Sequence, residues 1–472
     1  MRYLSNCLVV LCIFLVNGLL AQHRGASFED SLDRYVNSKL QGWKVPGMVL
    51  MVIQDGKVVK SKGYGTAQLE FNVPVSTKTV FEIASLTKSF TAVMVMMLAE
   101  EGKLKLDNKI SAYLDSIPAG WQDITIRHLL SHTAGIRNYS SLPPVPRIPN
   151  TPFSYSVLIQ RVGNLPLEFK PGEAFKYSNS NYYVLGQIIE KTSGKSYGDF
   201  LVERISRPLG MTQTRMNDFT EVIPYRAGGY AWDIETGRMK NREIGHPSGP
   251  FAAGSILSTG QDMAIWDIAL HAGKVLKPAV LAQMWEPYRL NDGTDSRYGL
   301  GWYIDKSIPR KSHGGKIGGF TSNYSHYPEE KLTIILLTNS SMFDPGSLAH
   351  RVAGFYHPRH KYKDEIRPQL KDVEPAFAKA IQADLNMRLE GAGDSTLYTS
   401  GYWEKEIKPA LEFSKRYFGP LGLVKNVVLV QINKEGDKQI YHYLVCYEHI
   451  TFLKKITREA DGRISKSESE QL

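Results

Sequence analysis

Two β-hairpin patterns that enclose a long helical stretch constrain the fold of this chain most strongly. The first is the apolar run Gly47–Gln54 followed by the turn dipeptide Asp55-Gly56. An Asp-Gly pair favours a two-residue turn between antiparallel strands. The second pattern pairs Asn323–Tyr327 with Leu332–Thr338 across a polar turn. Strands at both ends of a helical segment predict one α+β domain that closes on itself, with strands of both hairpins in its sheet.

The stretch between the hairpins has mostly helical periodicity, with Gly or polar turn residues at the ends of each helical pattern. The sequence predicts helices at Ser85–Glu101, Ile126–His132, Asn181–Lys191 and Thr259–His271. An antiparallel sheet flanked by helices follows from this order of elements.

Composition and charge exclude several classes of protein. The 472 residues are 42% hydrophobic and 22% charged, unlike a disordered, collagenous or low-complexity chain. This length suggests one large domain and a smaller one. The chain is basic, with 57 Lys and Arg against 47 Asp and Glu. The basic residues are scattered and show neither zinc-finger spacing nor an RNP-like aromatic pattern, so we expect a solvated basic surface and no nucleic-acid binding.

A serine and a lysine at the start of a predicted helix form a candidate catalytic pair. Ser85 and Lys88 are three residues apart, so the helical repeat places the hydroxyl and the amine on one face. A serine hydroxyl is a weak nucleophile until a base takes its proton, and a lysine that loses water contact can be that base. The helix N-terminus adds partial positive charge where an oxyanion would form.

Two later motifs make this pair specific. Tyr177-Ser-Asn179 precedes a helix, and His313-Gly314-Gly315 leads into a strand. With Ser85-Leu-Thr-Lys88, these motifs resemble in type and order those of the serine β-lactamase and penicillin-binding protein superfamily. The resemblance covers roughly residues 47–339. It is greatest to the branch of serine hydrolases related to class C β-lactamases, D-alanyl-D-alanine carboxypeptidases and carboxylesterases.

The resemblance implies a fold and a set of residue roles. The fold is a β-lactamase/transpeptidase-like antiparallel sheet flanked by helices, with a helical subdomain. Ser85 is the expected nucleophile, Lys88 its activating partner and Tyr177 a proton relay. Either Lys88 or Tyr177 takes the first proton, because coupled groups have no separate pKa values that a sequence can assign.

The resemblance also implies substrate-binding and oxyanion positions. The substrate-binding positions are Asn179, His313, Gly314 and Gly315. The backbone N–H groups of Ser85 and Lys316 form the expected oxyanion hole, and one such donor accelerates acyl transfer by on the order of a hundred- to a thousandfold.

The third motif departs from the Lys-Thr/Ser-Gly pattern of β-lactamases. His313 stands in place of the lysine and is mostly neutral at pH 7, so it attracts a substrate carboxylate weakly. Efficient β-lactamase activity is therefore not expected.

Two other motifs in the chain suggest chemistry that we do not assign. The segment Gly194-Lys-Ser196-Tyr-Gly198 matches the Gly-x-Ser-x-Gly motif of an esterase nucleophile elbow. It follows a helix rather than a strand, so Gly194 is better explained as a helix C-cap. His128 and His132 have metal-ligand spacing without a third ligand, and we expect core and helix-end histidines. The sequence predicts no metal and no organic cofactor.

The N-terminus has the pattern of a secretory signal peptide. The apolar run Leu8–Leu20 follows Arg2 and is shorter than the roughly 20 residues that span a bilayer. Residues 1–21 are the predicted signal, with membrane anchoring as the alternative if it is not cleaved. Cleavage after Ala21 leaves Cys446 as the one cysteine, so no disulfide is expected. The protein is predicted to be exported to the periplasm or the extracellular space.

A second domain is predicted after the first, which is assigned to residues 22–358. Residues 359–371 are polar and lack an apolar period, as in a linker. Residues 372–472 form a predicted small α+β accessory domain that faintly resembles NTF2-like domains. Its predicted helices and strands are Asp372–Leu389, Ala410–Tyr417, Val424–Ile432, Gln439–Tyr447 and Thr451–Arg458.

Together these features predict an exported serine hydrolase that forms an acyl-enzyme on Ser85 and cleaves esters or D-amino-acid peptide or amide bonds. The alternative is an inactive relative that binds cell-wall peptides or lipids in the same cleft, and a scaffold role of the second domain is a third hypothesis. The presence of Ser85, Lys88 and Tyr177 together favours the enzyme. The partner is a small-molecule or peptide substrate, and the sequence fixes neither the natural substrate nor the oligomeric state.

Overall fold

The computed structural model describes residues 28–142, 152–233, 236–243, 245–360, 374–447 and 451–471. The chain divides into two compact units. The main unit comprises residues 45–353, and the C-terminal unit combines residues 28–44 with the described residues from 354 onwards. The predicted signal peptide lies outside the described residues, as does most of the predicted linker, and the predicted domain boundaries stay predictions.

Helix α1 covers residues 28–42 and precedes the main unit. The strands of the main unit are β1 (Gly47–Gln54), β2 (Lys57–Gln68), β3 (Val73–Pro74), β4 (Val80–Glu82), β5 (Arg215–Met216), β6 (Tyr230–Asp233), β7 (Arg238–Asn241), β8 (Ile256–Thr259), β9 (Tyr303–Asp305), β10 (Arg310–Ile317), β11 (Phe320–Tyr327) and β12 (Leu332–Thr338). The helices that follow α1 are α2 (Thr87–Glu100), α3 (Ile126–Leu130), α4 (Tyr155–Val162), α5 (Asn179–Ser193), α6 (Tyr197–Leu201), α7 (Arg207–Leu209), α8 (Gly260–His271), α9 (Pro278–Met284) and α10 (Pro345–Tyr356).

The main sheet is antiparallel and joins both ends of the main unit. Its seven strands run in the order β3-β2-β1-β12-β11-β10-β9. The N-terminal and C-terminal hairpins meet where β1 pairs with β12, with Met48 opposite Thr338. Asp55 and Gly56 have φ values of 51° and 72°, the two positive values that a type I′ turn requires. The predicted α+β class and the predicted closure of the sheet are confirmed.

The core of the main unit lies between the sheet and its helices. Strands β11 and β12 are buried along their whole length, which explains the continuous apolar run of β12. Helix α8 packs against β1 and β12. Helix α2 is buried from Thr87 to Leu98, so it passes through the core. The ring of Phe90 on α2 stacks on that of Trp266 on α8, with centroids 4.2 Å apart.

The predicted helices are present, with shifted ends. Helix α3 stops at Leu130 because His132 has a φ of 59°, which an α-helix does not accommodate. Helix α5 begins two residues earlier than predicted, at Asn179. The sequence predicted that the motif beginning at His313 leads into a strand. In the structure, the motif lies inside strand β10.

The C-terminal unit has a sheet and a core of its own. Its elements after α10 are α11 (Pro375–Arg388), α12 (Ser400–Tyr402), α13 (Leu411–Phe418), β13 (Asn426–Glu435), β14 (Lys438–Cys446), β15 (Thr451–Arg458) and β16 (Ile464–Gln471). The strands form an antiparallel sheet in the order β13-β14-β15-β16, and α11 packs on β13. Phe377, Ile381 and Leu385 of α11 share a core with Tyr441 and Tyr443. Strand β16 was not predicted, because it contains one large apolar residue, at its start.

Within the described ranges, every helix is too short or too polar to cross a membrane.

Candidate active site

A strained turn carries Ser85. Residues Ala84–Leu86 form a 3-10 turn between β4 and α2. Ala84 has a φ of 49°, a left-handed conformation that costs about 1–3 kcal/mol for a residue with a side chain. The Oγ of Ser322 on β11 donates a hydrogen bond of 2.7 Å to the carbonyl of Ile83, and the N–H of Ile83 donates to Ile256 at 3.1 Å. The main sheet and β8 therefore fix the turn that presents Ser85.

The amine of Lys88 reaches Ser85 from the first turn of α2. Its Nζ lies 3.1 Å from Ser85 Oγ and donates hydrogen bonds to Asn179 Oδ1 at 2.8 Å and to the carbonyl of Ala253 at 2.7 Å. Among the described residues, no carboxylate lies within 4.0 Å of this amine. The side chain is fully buried, and burial lowers the pKa of Lys88 well below its usual value. The site thus holds an amine that loses its proton easily.

Tyr177 lies beside both Lys88 and Ser85. The ring centroid of Tyr177 is 4.8 Å from Lys88 Nζ. Burial raises the pKa of Tyr177 well above its usual value, and a hydrogen bond with Ser85 offsets part of this effect. The phenol is therefore protonated in the free protein.

Asn179 positions Lys88 and begins helix α5. Besides accepting from Lys88, its amide donates through Nδ2 to Ser140 Oγ at 2.9 Å, and its backbone N–H donates to Asn138 Oδ1 at 3.1 Å. Both polar atoms of the side chain are therefore engaged by the protein, at a position where the resemblance implied substrate binding. No sequence motif pointed to Asn138 or Ser140.

Strand β10 passes directly beside the Ser85 turn. A Cβ atom added to Gly315 would lie 2.3 Å from the carbonyl oxygen of Ile83 and 2.4 Å from Ser322 Oγ, so only glycine permits this approach. Gly314 is exposed, and an added Cβ there would meet its nearest atom at 3.6 Å. Lys316 follows with an exposed side chain. The backbone after Gly315 therefore runs past Ser85.

His313 is buried and neutral. Its Nδ1–H donates to the carbonyl of Gly314 at 2.7 Å, and its Nε2 accepts from the hydroxyl of Tyr298 at 2.9 Å. Burial, helped by the nearby Lys88, lowers the pKa of His313 to about 3. The sequence predicted a mostly neutral side chain here, and the structure gives both ring nitrogens partners within the protein.

His132 belongs to the site, although the sequence suggested only a core residue. Its ring centroid is 4.3 Å from that of Tyr177, and its Nδ1 accepts from the N–H of Ser178 at 3.2 Å. Burial lowers the pKa of His132 well below its usual value. His128 instead caps helix α3, accepting at Nδ1 from the N–H of Thr125 at 3.2 Å. His128 is therefore a helix-end histidine and His132 a buried one, as the sequence suggested, but only the folded chain brings His132 beside Tyr177.

The esterase-like motif is a pair of helix ends. Gly194 has a φ of 70° and terminates α5, as the sequence suggested. Ser196 caps α6, accepting from the N–H of Asp199 at 3.0 Å and donating to its carboxylate at 2.6 Å. This serine has a structural role.

A cluster of side chains of the types that can bind a metal lies between α8 and β11. Asp267, His271 and His326 bring ligand atoms within 4.8 Å of one another. Tyr324 donates to Asp267 Oδ1 at 2.5 Å, and His271 Nε2 lies 3.1 Å from the same hydroxyl. The two imidazole rings are stacked at 3.9 Å with a tilt of 31°, which does not aim both lone pairs at one ion. We assign this cluster to the packing of α8 on β11.

Comparison with known proteins agrees with this geometry. The Beta-lactamase family model matches residues 32–354. Penicillin-binding protein 4* of Bacillus subtilis (strain 168) is 30% identical over 306 residues, which cover 61% of this chain and 67% of that protein.

Two solved structures extend the comparison. The octameric penicillin-binding protein homologue from Pyrococcus abyssi has a TM-score of 0.64 at 24% identity, covers 94% of this chain and 96% of its own, and shows likeness of fold. The D-amino acid amidase from Ochrobactrum anthropi SV3, complexed with D-phenylalanine, has a TM-score of 0.57 at 26% identity and covers 65% of this chain and 92% of its own. Since the matching family model spans well over half of the chain, this protein belongs to the serine β-lactamase and penicillin-binding protein superfamily of serine hydrolases.

Proposed function

We propose that this protein is a serine hydrolase that forms an acyl-enzyme on Ser85. The observation that carries the proposal is the contact of 3.1 Å between Ser85 Oγ and the amine of the buried Lys88. A serine with a base within hydrogen-bond reach is the arrangement that nucleophilic catalysis requires.

The proton of Ser85 passes first to Lys88. Burial lowers the pKa of Lys88 and raises that of Tyr177, so the amine is the group that is free to accept a proton. Ser85 Oγ then bonds to the acyl carbon, and the leaving group takes a proton through the Tyr177 hydroxyl and departs as an alcohol or amine. Water attacks the ester on Ser85, releases the acid and returns the proton to the serine.

The oxyanion is held by the backbone N–H groups of Ser85 and Lys316. Among the described residues, the N–H of Ser85 donates to no backbone carbonyl, which leaves it available for substrate. The close approach of Gly315 to the Ser85 turn supports a second donor from β10. Two fixed donors act on the charge that develops in the transition state.

The proposed substrates are esters and the amides or peptides of D-amino acids. His313 carries no positive charge and has both nitrogens engaged, so the third motif gives a substrate carboxylate little attraction. This argues against efficient hydrolysis of β-lactams, which carry such a carboxylate, and among peptides it favours those without a free carboxylate beside the scissile bond. The structural likeness to a D-amino acid amidase, at 26% identity, supports an amide substrate.

We also propose that the protein is exported. This rests on the sequence of residues 1–21, with a basic start and a short apolar run.

The test compares turnover of a substrate panel by the unmodified protein, Ser85→Ala and Ser196→Ala. The panel contains p-nitrophenyl acetate, D-phenylalanine amide, a D-Ala-D-Ala peptide and a chromogenic cephalosporin. We expect Ser85→Ala to lose all turnover, while Ser196→Ala, in the esterase-like motif, keeps it. Mass spectrometry of the protein stopped in acid during turnover should find the acyl group on the peptide that contains Ser85.

Equal turnover by the unmodified protein and Ser85→Ala would contradict the proposal. Saturable binding of the D-Ala-D-Ala peptide without turnover of any panel member would instead support the inactive binding protein.

A further inference from the structure

A cavity opens inside the C-terminal unit. None of the residues that line it takes part in the proposed mechanism. The cavity has about 450 Å³ of empty space, which includes its open mouth. Because this figure includes open solvent at the mouth, the enclosed part is smaller and suits only a small ligand. Its walls come from α11, α13 and the sheet, and they consist of Leu385, Arg388, Leu389, Ser414, Phe418, Val445, Tyr447, Phe452, Lys454 and Ser469.

Lys454 occupies a position where the strand pattern predicts an apolar side chain. Successive side chains of a strand point to opposite faces, so Lys454 on β15 shares a face with Phe452 and Ile456. Both of these neighbours are buried in the core of the unit. The cross-strand partner of Lys454 on β14 is Tyr443, which is also buried. The lysine therefore points into the domain.

The residues that line the cavity include two cations, Arg388 and Lys454, and no carboxylate. Lys454 Nζ donates a hydrogen bond to Ser469 Oγ at 3.0 Å. The second cation, Arg388, is already paired with Asp384 at 2.8 Å. Asp384 also accepts from the hydroxyl of Tyr398 at 2.6 Å. Asp384 is thus engaged by Arg388 and Tyr398, and Lys454 is the other cation on the cavity wall.

Burial and the neighbouring Arg388 lower the pKa of Lys454 to about 8, so the amine is still largely protonated at neutral pH. Lys454 is half-buried, so its charge is partly removed from water, and an anion supplied by a ligand would offset that cost.

We propose that this cavity binds a small organic monocarboxylate, with its carboxylate on Lys454 and a short apolar or aromatic body against the wall. The apolar wall is formed by Leu385, Leu389, Phe418, Val445 and Phe452. Such a wall favours an organic anion over inorganic phosphate or sulfate, which would bury no apolar surface. The single amine of Lys454 matches a single carboxylate.

The test is isothermal titration calorimetry of the full-length protein with benzoate and hexanoate, and with benzamide and hexanamide as their uncharged counterparts. We expect at least one carboxylate to bind saturably and its amide to bind at least about tenfold more weakly, because a buried charged hydrogen bond is lost.

Lys454→Met keeps the length of the side chain and removes its charge. We expect this variant to lose the preference for carboxylate over amide, and its circular dichroism and thermal unfolding show that it is folded. Lys455→Met, one residue further along β15 and on the opposite face, is the matched control and should bind like the unmodified protein. Absence of carboxylate binding to the unmodified protein, equal binding of acid and amide, or unchanged binding in folded Lys454→Met would each overturn the proposal.

Discussion

Lys88 holds its amine among the neutral oxygens of Ser85, Asn179 and Ala253. Without a carboxylate nearby, transfer of the amine from water to this site favours the uncharged form. The same contacts aim the lone pair of the neutral amine at the Ser85 hydroxyl. Burial therefore serves catalysis here, since it lowers the pKa of Lys88 and so supplies a neutral amine well below the pH at which lysine in water loses its proton.

Lys88→Arg should remove acyl transfer while keeping a cation at this position. Guanidinium stays protonated in proteins, so it cannot take the Ser85 proton. We expect the rate of p-nitrophenol release to fall by about a hundred- to ten-thousandfold. In the unmodified protein, kcat/KM should rise with pH as Lys88 loses its proton, with a midpoint well below the ordinary 10.5. A midpoint near 10.5, or an active Lys88→Arg variant, would exclude Lys88 as the base.

Tyr177→Phe should lower the rate without moving that midpoint. Burial keeps the Tyr177 phenol protonated over the range in which Lys88 loses its proton, so the phenol relays a proton but does not set the pH dependence. We expect kcat/KM for p-nitrophenyl acetate to fall by about a hundredfold or more, with an unchanged acid limb. Loss or displacement of the acid limb in this variant would assign the titration to Tyr177.

Local sequence motifs predicted Ser85, Lys88 and Tyr177 as catalytic residues, and the structure brings the three side chains together. The motifs did not predict that the amide of Asn179 is held by Lys88 and Ser140, or that His313 is enclosed. Those properties depend on loops that meet only in the folded chain, and no local pattern encodes them.

At the scale of elements, the packing of β10 on the Ser85 turn controls the site. Gly315→Ala should displace the strand, since its Cβ would meet the backbone oxygen of Ile83 at 2.3 Å. Overpacking of this kind costs about 1–3 kcal/mol. We expect a lower midpoint of thermal unfolding and a large loss of turnover. Gly314→Ala, where the nearest atom is 3.6 Å away, is the control and should keep the midpoint of the unmodified protein. Equal midpoints of thermal unfolding for the two variants would contradict this expectation and show that the Ser85 turn shifts to accommodate the added methyl group.

Strands and turns with strong local signals were predictable at this scale. The Asp55-Gly56 turn and the pairing of β11 with β12 follow from turn chemistry and apolar runs. Strand β16 was not predictable, because it alternates serine with charged residues and is held in place by pairing with β15. Pairing with β15, rather than the β-propensity of its own residues, therefore makes this segment a strand.

At the scale of the whole molecule, each unit has a hydrophobic core of its own. In the C-terminal unit the core also contains the buried ion pair of Asp384 and Arg388, with side chains 1% and 10% exposed. Removal of one partner of such a pair leaves a buried charge without compensation and costs about 3–5 kcal/mol. The core of the C-terminal unit therefore depends on one carboxylate.

Asp384→Asn should consequently loosen the C-terminal unit. Hydrogen exchange followed by mass spectrometry should be faster in α11 and β14 of this variant than in the unmodified protein. The matched control is Asp461→Asn, which breaks the exposed pair with Arg463 and should leave the exchange of α11 and β14 unchanged. If α11 and β14 exchange at the same rate in both variants, the buried pair contributes no more than the exposed one, and apolar packing around Phe377 and Tyr441 is enough to hold the unit together.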